Sequence, residues 1–195
     1  MHHIYTSKSI ILRRETQDKS AYFWILTRDF GLVKARAQGI RGTKSRLKGT
    51  LQEFSLATIA FVHGKNGWKI TTAMPEENFC LNSPLPVRKV IAHIADVLIR
   101  FIVGEENSPK IFSTALAGFK KLSEEKKEDL KIISVIESLT LLRMLHLLGY
   151  VALDDSLAPL CADISYFSSP IISQALVLKK SIIARINKAF KESQL

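Results

Sequence analysis

Alternating apolar and polar positions dominate the first 72 residues of the chain and predict five short β-strands. In the third strand, apolar residues at positions 33, 35 and 37 alternate with Lys34, Arg36 and Gln38, the period of a half-buried strand with a basic outer face. The predicted strands are Tyr5–Arg14, Ala21–Thr27, Leu32–Gln38, Phe54–Val62 and Trp68–Thr72. Five such strands, with one longer connection after the third, predict a small Greek-key barrel of the OB-fold type, which commonly binds oligonucleotides.

The second predicted strand divides its large side chains between two faces. Tyr22 and Trp24 share one face, and Phe23 and Ile25 share the other. A small barrel needs large side chains to fill its interior, whereas proteins that bind single-stranded nucleic acid stack bases on exposed rings. We therefore expect one set to fill the core and the other to face either a ligand or a second domain.

After Pro75 the apolar spacing changes to a period of 3.6 residues and predicts helices. We expect helices over residues 87–102, 109–119, 128–148 and 170–191, the last with a break near Lys179. The predicted fold class is α+β. An N-terminal five-stranded OB-fold β-barrel in residues 1–75 precedes a C-terminal α-helical bundle domain in residues 76–195.

Positive charge is concentrated in the predicted barrel. The chain has a net charge of +10, and residues 1–72 hold 13 Lys/Arg against 4 Asp/Glu, a net of +9. Such asymmetry favours a polyanionic partner, with nucleic acid considered first and an anionic membrane surface second.

The most basic stretch is residues 28–54, where seven cations face only Asp29 and Glu53. A basic strand followed by a basic, glycine-containing loop is a plausible track for a phosphate backbone. The alternative is a solvated surface with no ligand. The predicted nucleic-acid-binding residues are Arg28, Lys34, Arg36, Arg41, Lys44, Arg46 and Lys48.

The sequence carries little that points to catalysis or to a cofactor. Cys80 and Cys161 are far apart and have no neighbouring cysteine, so neither a disulfide framework nor a zinc knuckle is expected. We find no phosphate-binding glycine loop, no G-x-S-x-G and no H-E-x-x-H. The N-terminus lacks the apolar core of a signal peptide, and the most apolar run, Leu139–Leu148, is too short for a bilayer. We expect a cytoplasmic binding protein without a cofactor, rather than an enzyme or a membrane protein.

Four motifs in the first 54 residues resemble the N-terminal OB domain of the RecO family. A strand ends in Leu12-Arg13-Arg14, and the turn Thr27-Arg28-Asp29-Phe30-Gly31 follows the next strand. The loop then reads R-x-x-K-S-R-L-x-G from Arg41 to Gly49, followed by L-x-x-F from Leu51 to Phe54. Leu148-Gly149-Tyr150 and the C-terminal AFKESQL are similar, more loosely, to the helical part of that family.

The resemblance implies a mediator of DNA repair and homologous recombination. Such a protein binds and anneals single-stranded DNA and docks on the acidic C-terminal tail of single-stranded DNA-binding protein. With RecR it helps to load the RecA recombinase onto coated DNA. It performs no covalent chemistry, needs no nucleotide and is associated with the nucleoid.

One region departs from the family pattern. Many members carry a four-cysteine zinc module after the Leu-Gly-Tyr segment, but here Cys161 is the single cysteine, so we predict that the module is absent. The docking groove for the acidic tail would lie in the helical domain. On charge alone, its candidate residues are Lys120, Lys121 and Arg143. Because Arg143 interrupts an apolar run, it must be paired inside the protein or line a groove that receives an anion.

Two other classes of function fit the same residues. One is an RNA-binding OB-fold protein of translation or ribosome assembly, since an OB face accepts both nucleic acids. The other is a non-enzymatic scaffold whose basic face meets an acidic protein. A small enzyme is the weakest reading.

Overall fold

The chain forms two compact units, and each folds around its own set of elements. The computed structural model describes residues 3–17, 20–37, 49–105, 107–126, 129–164 and 166–193. One unit comprises Met1–Leu81 with Val103–Pro109, and the other comprises Asn82–Ile102 with Lys110–Leu195. The first unit is built from β-strands and the second from helices.

The β-strands of the first unit close into a barrel in the order β1-β2-β3-β5-β4. The strands are β1 (Ile4–Gln17), β2 (Ser20–Thr27), β3 (Gly31–Ala37), β4 (Ser55–Gly64) and β5 (Gly67–Asn78). Neighbours are antiparallel except β3 and β5, which run parallel and pair at Ala35–Trp68 and Arg36–Lys69. The barrel followed by helices confirms the predicted fold class.

The interior of the barrel is filled by alternate residues of its strands, because successive strand side chains point to opposite faces. In β3, Val33 and Ala35 are buried while Lys34 between them is exposed, as the alternation predicted. The buried cluster comprises Ile11, Ala21, Phe23, Ile25, Val33, Ala35, Ala37, Leu51, Ala57, Ile59, Phe61, Trp68 and Ile70.

A β-bulge in β1 sets the outer face of the barrel. The pairing with β2 shifts between Ile11 and Arg13, so Leu12 is the extra residue. Beyond the bulge, Arg13 lies opposite Trp24 and Glu15 lies opposite Tyr22. Directly opposed residues share a face of the sheet, so the charged end of β1 lies beside the outward rings of β2.

The fifth strand is longer than its sequence pattern predicted. We expected it to end at Thr72, but it continues through Pro75 to Asn78. Pro75 is tolerated because the pairing with β4 is irregular there: Leu56 pairs with Glu77 and Ala57 with Pro75. The alternation fades because most residues after Ile70 are exposed.

The second unit contains six helices among the described residues. They are α1 (Leu85–Phe101), α2 (Pro109–Glu124), α3 (Leu130–Leu147), α4 (Ala158–Cys161), α5 (Ser169–Val177) and α6 (Lys179–Glu192). The predicted break near Lys179 falls at Leu178, and the short helix α4 was not predicted.

Helix α3 is the centre of this unit and is apolar nearly all round. Its N-terminus is capped by Asp129, whose carboxylate accepts from the amides of Lys131 and Ile132. Helix α2 approaches it closely at Gly118, where an added Cβ would lie 2.6 Å from the Thr140 hydroxyl. The chain leaves α3 through Gly149, which has a φ of 81° that glycine adopts without strain.

Candidate nucleic-acid interface

The outer face of β1, β2 and β3 carries two rows of side chains. The antiparallel registers place Glu15, Tyr22 and Arg36 in one row, and the parallel register adds Lys69 of β5 to it. They also place Arg13, Trp24 and Lys34 side by side in the second row. The face thus presents four cations, two aromatic rings and one carboxylate.

The rings of the face and the rings of the core are cleanly separated. Phe23 and Ile25 are fully buried, whereas Tyr22 and Trp24 are half-buried on the outside. The sequence predicted this division and left open which set points outward. Exposed rings beside cations are the combination that single-strand binders use for bases and phosphates.

Lys34 lies at the centre of the face. Its ammonium is 4.9 Å from the centroid of the Trp24 ring and 5.8 Å from that of Tyr22, both within cation–π range. It also donates a hydrogen bond of 2.6 Å to Glu15 Oε2. The other carboxylate oxygen of Glu15 accepts from the Trp24 indole N–H at 2.6 Å. The hydrogen bonds from Lys34 and then Trp24 hold the pKa of Glu15 below its usual value.

Arg36 borders a cleft that the sequence did not predict. Its Nε donates to the Ser20 hydroxyl at 2.9 Å. The cleft has a volume of about 320 Å³ and lies along the β4–β5 hairpin, where Lys65 and Lys69 also line it. Lys65 therefore joins the cations of the candidate interface. The outward position of Lys69 follows from the alternation in β5, but its neighbour Arg36 follows only from the parallel pairing.

Trp68 forms the aromatic wall of the same cleft and is almost completely buried. The His63 ring packs on it with centroids 4.8 Å apart. The Trp68 indole N–H donates to Glu105 Oε1 at 2.8 Å. Glu105 belongs to the segment Val103–Pro109, which is part of the barrel unit although it follows α1 in sequence.

Arg28 occupies a different place, in the turn between β2 and β3. Its Nε donates to Asp29 Oδ1 at 3.0 Å, and the Ser7 hydroxyl donates to Asp29 Oδ2 at 2.7 Å. The Ser7 bond and the Arg28 guanidinium hold the pKa of Asp29 below its usual value. Gly31 closes the turn with a φ of 69°. Arg28 is therefore exposed but partly neutralised by its neighbour.

The predicted basic loop has no structural description here. Arg41, Lys44, Arg46 and Lys48 lie outside the described residues. Their assignment to the nucleic-acid site stays a prediction from sequence.

Arg143 does not line a groove, and the structure corrects that expectation. Its side chain is fully buried. Its Nε donates to the Leu160 carbonyl at 2.7 Å, one Nη donates to the Tyr166 carbonyl at 3.1 Å, and the guanidinium stacks on the Phe167 ring at 4.7 Å. Arg143 therefore ties α3 to the segment that runs from α4 toward α5, which is the paired, structural alternative.

Lys120 and Lys121 do line a surface cleft of the helical unit. The cleft has a volume of about 270 Å³, and its other lining residues are Ala117, Glu124, Tyr166 and Phe167. Lys120 is exposed, whereas Lys121 donates to Glu124 at 3.0 Å. An exposed ammonium beside two rings offers a charge and an apolar surface to an acidic, apolar peptide.

Two histidines of the helical unit have structural partners. His93 bonds to Glu137 at 2.7 Å, and His146 bonds to the Val151 carbonyl at 3.0 Å. Burial raises the pKa of the Cys161 thiol to about 11. Across the ranges that the structure covers, no three His, Cys, Asp or Glu side chains are grouped closely enough to hold a metal ion. No helix in those ranges is long and apolar enough to cross a membrane.

A closed five-stranded barrel with cations and rings on the outer face of its first three strands is a domain of the OB-fold class. Residues 1–79 match the family model described as "Recombination protein O N terminal". The barrel unit of the chain is therefore similar to the N-terminal part of the RecO family.

Curated relatives extend the match beyond the barrel. A protein of Caldanaerobacter subterraneus subsp. tengcongensis is 27% identical over 169 residues, which are 84% of this chain and 66% of that protein. One of Heliobacterium modesticaldum is 27% identical over 75% of this chain and 52% of its own length. One of Dehalococcoides mccartyi strain 195 is 25% identical over 66% of this chain and 51% of its own length. Each is named DNA repair protein RecO. The chain thus spans from about half to just under two thirds of the relatives' length.

Proposed function

We propose that this chain is a DNA-repair protein that binds single-stranded DNA on the outer face of β1, β2 and β3. The observation that carries the proposal is the juxtaposition of Lys34 and Arg36 with the outward rings of Tyr22 and Trp24. Phosphates bind cations and bases stack on rings, so the face offers both halves of single-strand recognition. The chain needs no nucleotide for this role and acts as a binding protein rather than an enzyme.

The test is a charge reversal on the face. We expect Lys34→Glu with Arg36→Glu to weaken binding of a mixed-sequence single strand at least about tenfold at low salt, because two phosphate contacts become repulsive. Fluorescence anisotropy across a salt series measures both the affinity and its salt slope. The matched control is Arg88→Glu with Lys89→Glu on α1, which reverses one arginine and one lysine at exposed positions of the helical unit. Equal losses in both variants would leave only general electrostatics and contradict the assignment.

The basic loop is the second part of the proposed site. We expect Lys44→Glu with Arg46→Glu also to weaken single-strand binding, since both lie in the stretch that resembles the family's most specific motif. Unchanged affinity in that variant would remove the loop from the interface. Annealing of protein-coated complementary strands separates a repair mediator from an RNA-binding protein, for which tight binding of structured RNA without annealing is expected.

We also propose that the cleft of Lys120 receives the acidic C-terminal tail of single-stranded DNA-binding protein. The support is an exposed ammonium beside Tyr166 and Phe167, which offers a charge and an apolar contact. A pull-down with intact and tail-less single-stranded DNA-binding protein tests this. We expect Lys120→Glu with Lys121→Glu to abolish capture of the intact form, and the Arg88→Glu with Lys89→Glu variant to retain it.

Joint action with RecR in loading RecA is the remaining part of the proposed role, and it places the chain in the cytoplasm with the nucleoid. It rests on the similarity of the chain to RecO proteins. RecA filament formation on coated single strands, measured with and without this chain and RecR, tests it. Loading that is no faster with both proteins present than with RecR alone would contradict it.

A further inference from the structure

The donors at the centre of the proposed face are already occupied in the free protein. Glu15 accepts from Lys34 with one oxygen and from the Trp24 indole with the other, both at 2.6 Å. The two oxygens of a carboxylate thus satisfy one ammonium and one N–H. These are the donor types that two non-bridging oxygens of a phosphodiester would accept from.

The arrangement is open to solvent, so a ligand can displace it. The Lys34 and Glu15 side chains are 42% and 39% exposed. Exposed ion pairs of this kind contribute little to stability because water competes with them. A single-stranded backbone reaching Lys34 therefore meets a weak intramolecular competitor rather than a buried and permanent bridge.

The position of Glu15 follows from the fold and not from chance contact on a loop. The bulge at Leu12 places Glu15 of β1 opposite Tyr22 of β2. Glu15 therefore lies in the row of side chains next to the row that holds Trp24 and Lys34. The Lys34 ammonium that Glu15 holds also lies over the faces of both rings. Glu15 thus fixes the cation in the place where it covers the rings.

We propose that Glu15 is a built-in stand-in for a phosphodiester, which must be displaced before Lys34 and Trp24 can engage single-stranded DNA. This inference rests on the proposed function and adds a control to the same site. A bound phosphate takes the Lys34 ammonium away from Glu15, and the ring faces that it covered become open to a base. Glu15 thereby sets the affinity of the free face below what its cations alone would give.

Glu15→Gln tests the proposal, because it removes the negative charge at nearly constant shape. We expect single-strand affinity to rise about two- to fivefold, the range that loss of one exposed ion pair in the free protein allows. The matched control is Glu77→Gln on β5, an exposed carboxylate paired opposite Leu56, which makes the same change in net charge elsewhere on the barrel. A gain in Glu15→Gln no larger than in Glu77→Gln overturns the proposal.

Two further variants separate the loss of the hydrogen bonds to Glu15 from the change in net charge. Glu15→Asp keeps the charge but shortens the side chain by one methylene, so it cannot reach both donors as Glu15 does, and we expect a smaller gain. In a Lys34→Met background, Glu15→Gln should gain no more than Glu77→Gln, since the cation that it competes for is gone. A gain that persists without Lys34 overturns the proposal.

The indole N–H signals give a direct readout of displacement. The chain has two tryptophans, and Trp68 donates to Glu105 rather than to Glu15. In a ¹⁵N-labelled protein we expect the Trp24 indole signal to shift on adding a thymidine oligonucleotide and in Glu15→Gln, while the Trp68 signal moves less in that variant. One outcome separates the two proposals. If the wild type binds single strands and Lys34→Glu with Arg36→Glu weakens that binding, the proposed function stands. If the Trp24 signal nevertheless does not shift, the role of Glu15 as a competitor is wrong.

Discussion

The chain uses the same kind of side chain in two opposite ways, on the barrel face and inside the helical unit. Lys34 is exposed; it forms one weak ion pair with Glu15 and cation–π contacts with two aromatic rings. Arg143 is fully buried and donates to backbone carbonyls that it holds in place. A cation is available to a ligand when its bonds are replaceable by solvent, and it is part of the scaffold when they are not. Basic residues in a sequence therefore say little about function until their partners are known.

The largest effect is expected at Arg143. Arg143→Met should lower the free energy of unfolding by about 2–4 kcal/mol. The carbonyls of Leu160 and Tyr166 lose their charged donors, and the methionine does not fill the space that the guanidinium occupied. Urea denaturation measures it, with Arg88→Met as the exposed control. A loss below about 0.5 kcal/mol, the range of ordinary surface substitutions, would remove the contrast between the two regions.

A second effect tests how tightly the interior of the helical unit is packed. Gly118→Ala places a methyl group 2.6 Å from the Thr140 hydroxyl, and we expect a loss of about 1–3 kcal/mol from overpacking. Gly64→Ala is the control on the barrel, where nothing lies within 4 Å of the added atom. Adding Thr140→Ala to Gly118→Ala should restore part of the loss; no recovery would mean that the strain lies elsewhere.

His93 gives a smaller, pH-dependent effect. The hydrogen bond to Glu137, opposed by burial, raises the pKa of His93 in the folded chain above its usual value. A raised pKa stabilises the protonated, folded form, so this contribution is fully present below the unfolded pKa of about 6.5 and is lost as the pH rises through the folded value. Half of the side chain is exposed, so solvent screening keeps the contribution below about 1 kcal/mol.

Comparing His93→Ala with the wild type in urea at pH 5.5 and pH 8.5 measures this contribution. The variant should be destabilised more at the lower pH. A difference that grows toward pH 8.5 would reverse the sign and contradict the pairing with Glu137.

The smallest stability effect is expected at Lys34. Lys34→Met should change the free energy of unfolding by less than about 0.5 kcal/mol, because the ion pair and the cation–π contacts that are lost are open to solvent. The same variant should bind single strands more weakly and reduce the salt slope by about 0.7, the value for one phosphate contact. Together, denaturation and a salt titration show whether the face serves binding without serving the fold. A large loss of stability with an unchanged salt slope would mean that Lys34, like Arg143, has a structural role and does not contact phosphate.

Much of the fold was predictable because it is local. Alternation located the five strands, and the 3.6-residue period located the long helices, including the break at Leu178. The length of β5 was not predictable, because exposed strand residues such as those after Ile70 lose the apolar half of the pattern. The parallel pairing of β3 with β5 joins positions that are more than 30 residues apart, and no local pattern specifies it.

The candidate site was predictable in composition more than in arrangement. Charge and alternation identified Lys34 and Arg36 as outward cations. The hydrogen bonds from Trp24 and Lys34 to Glu15 depend on the bulge at Leu12 and on the cross-strand register. Neither can be read from the sequence. Arg143 was misassigned because its partners are backbone carbonyls, and these leave no signature in a sequence.

The two-position ladder between β3 and β5 has a mechanical consequence. Among the described residues, every other seam of this barrel wall is paired over seven or more positions, whereas this one is paired at two, Ala35–Trp68 and Arg36–Lys69. Local opening begins where the fewest bonds must break, so amide protons along this seam should exchange with deuterated solvent sooner than those of its neighbours. Arg36 and Lys69 lie on opposite sides of the β3–β5 seam. A polyanion that bound both side chains would therefore stabilise the seam with the fewest paired positions.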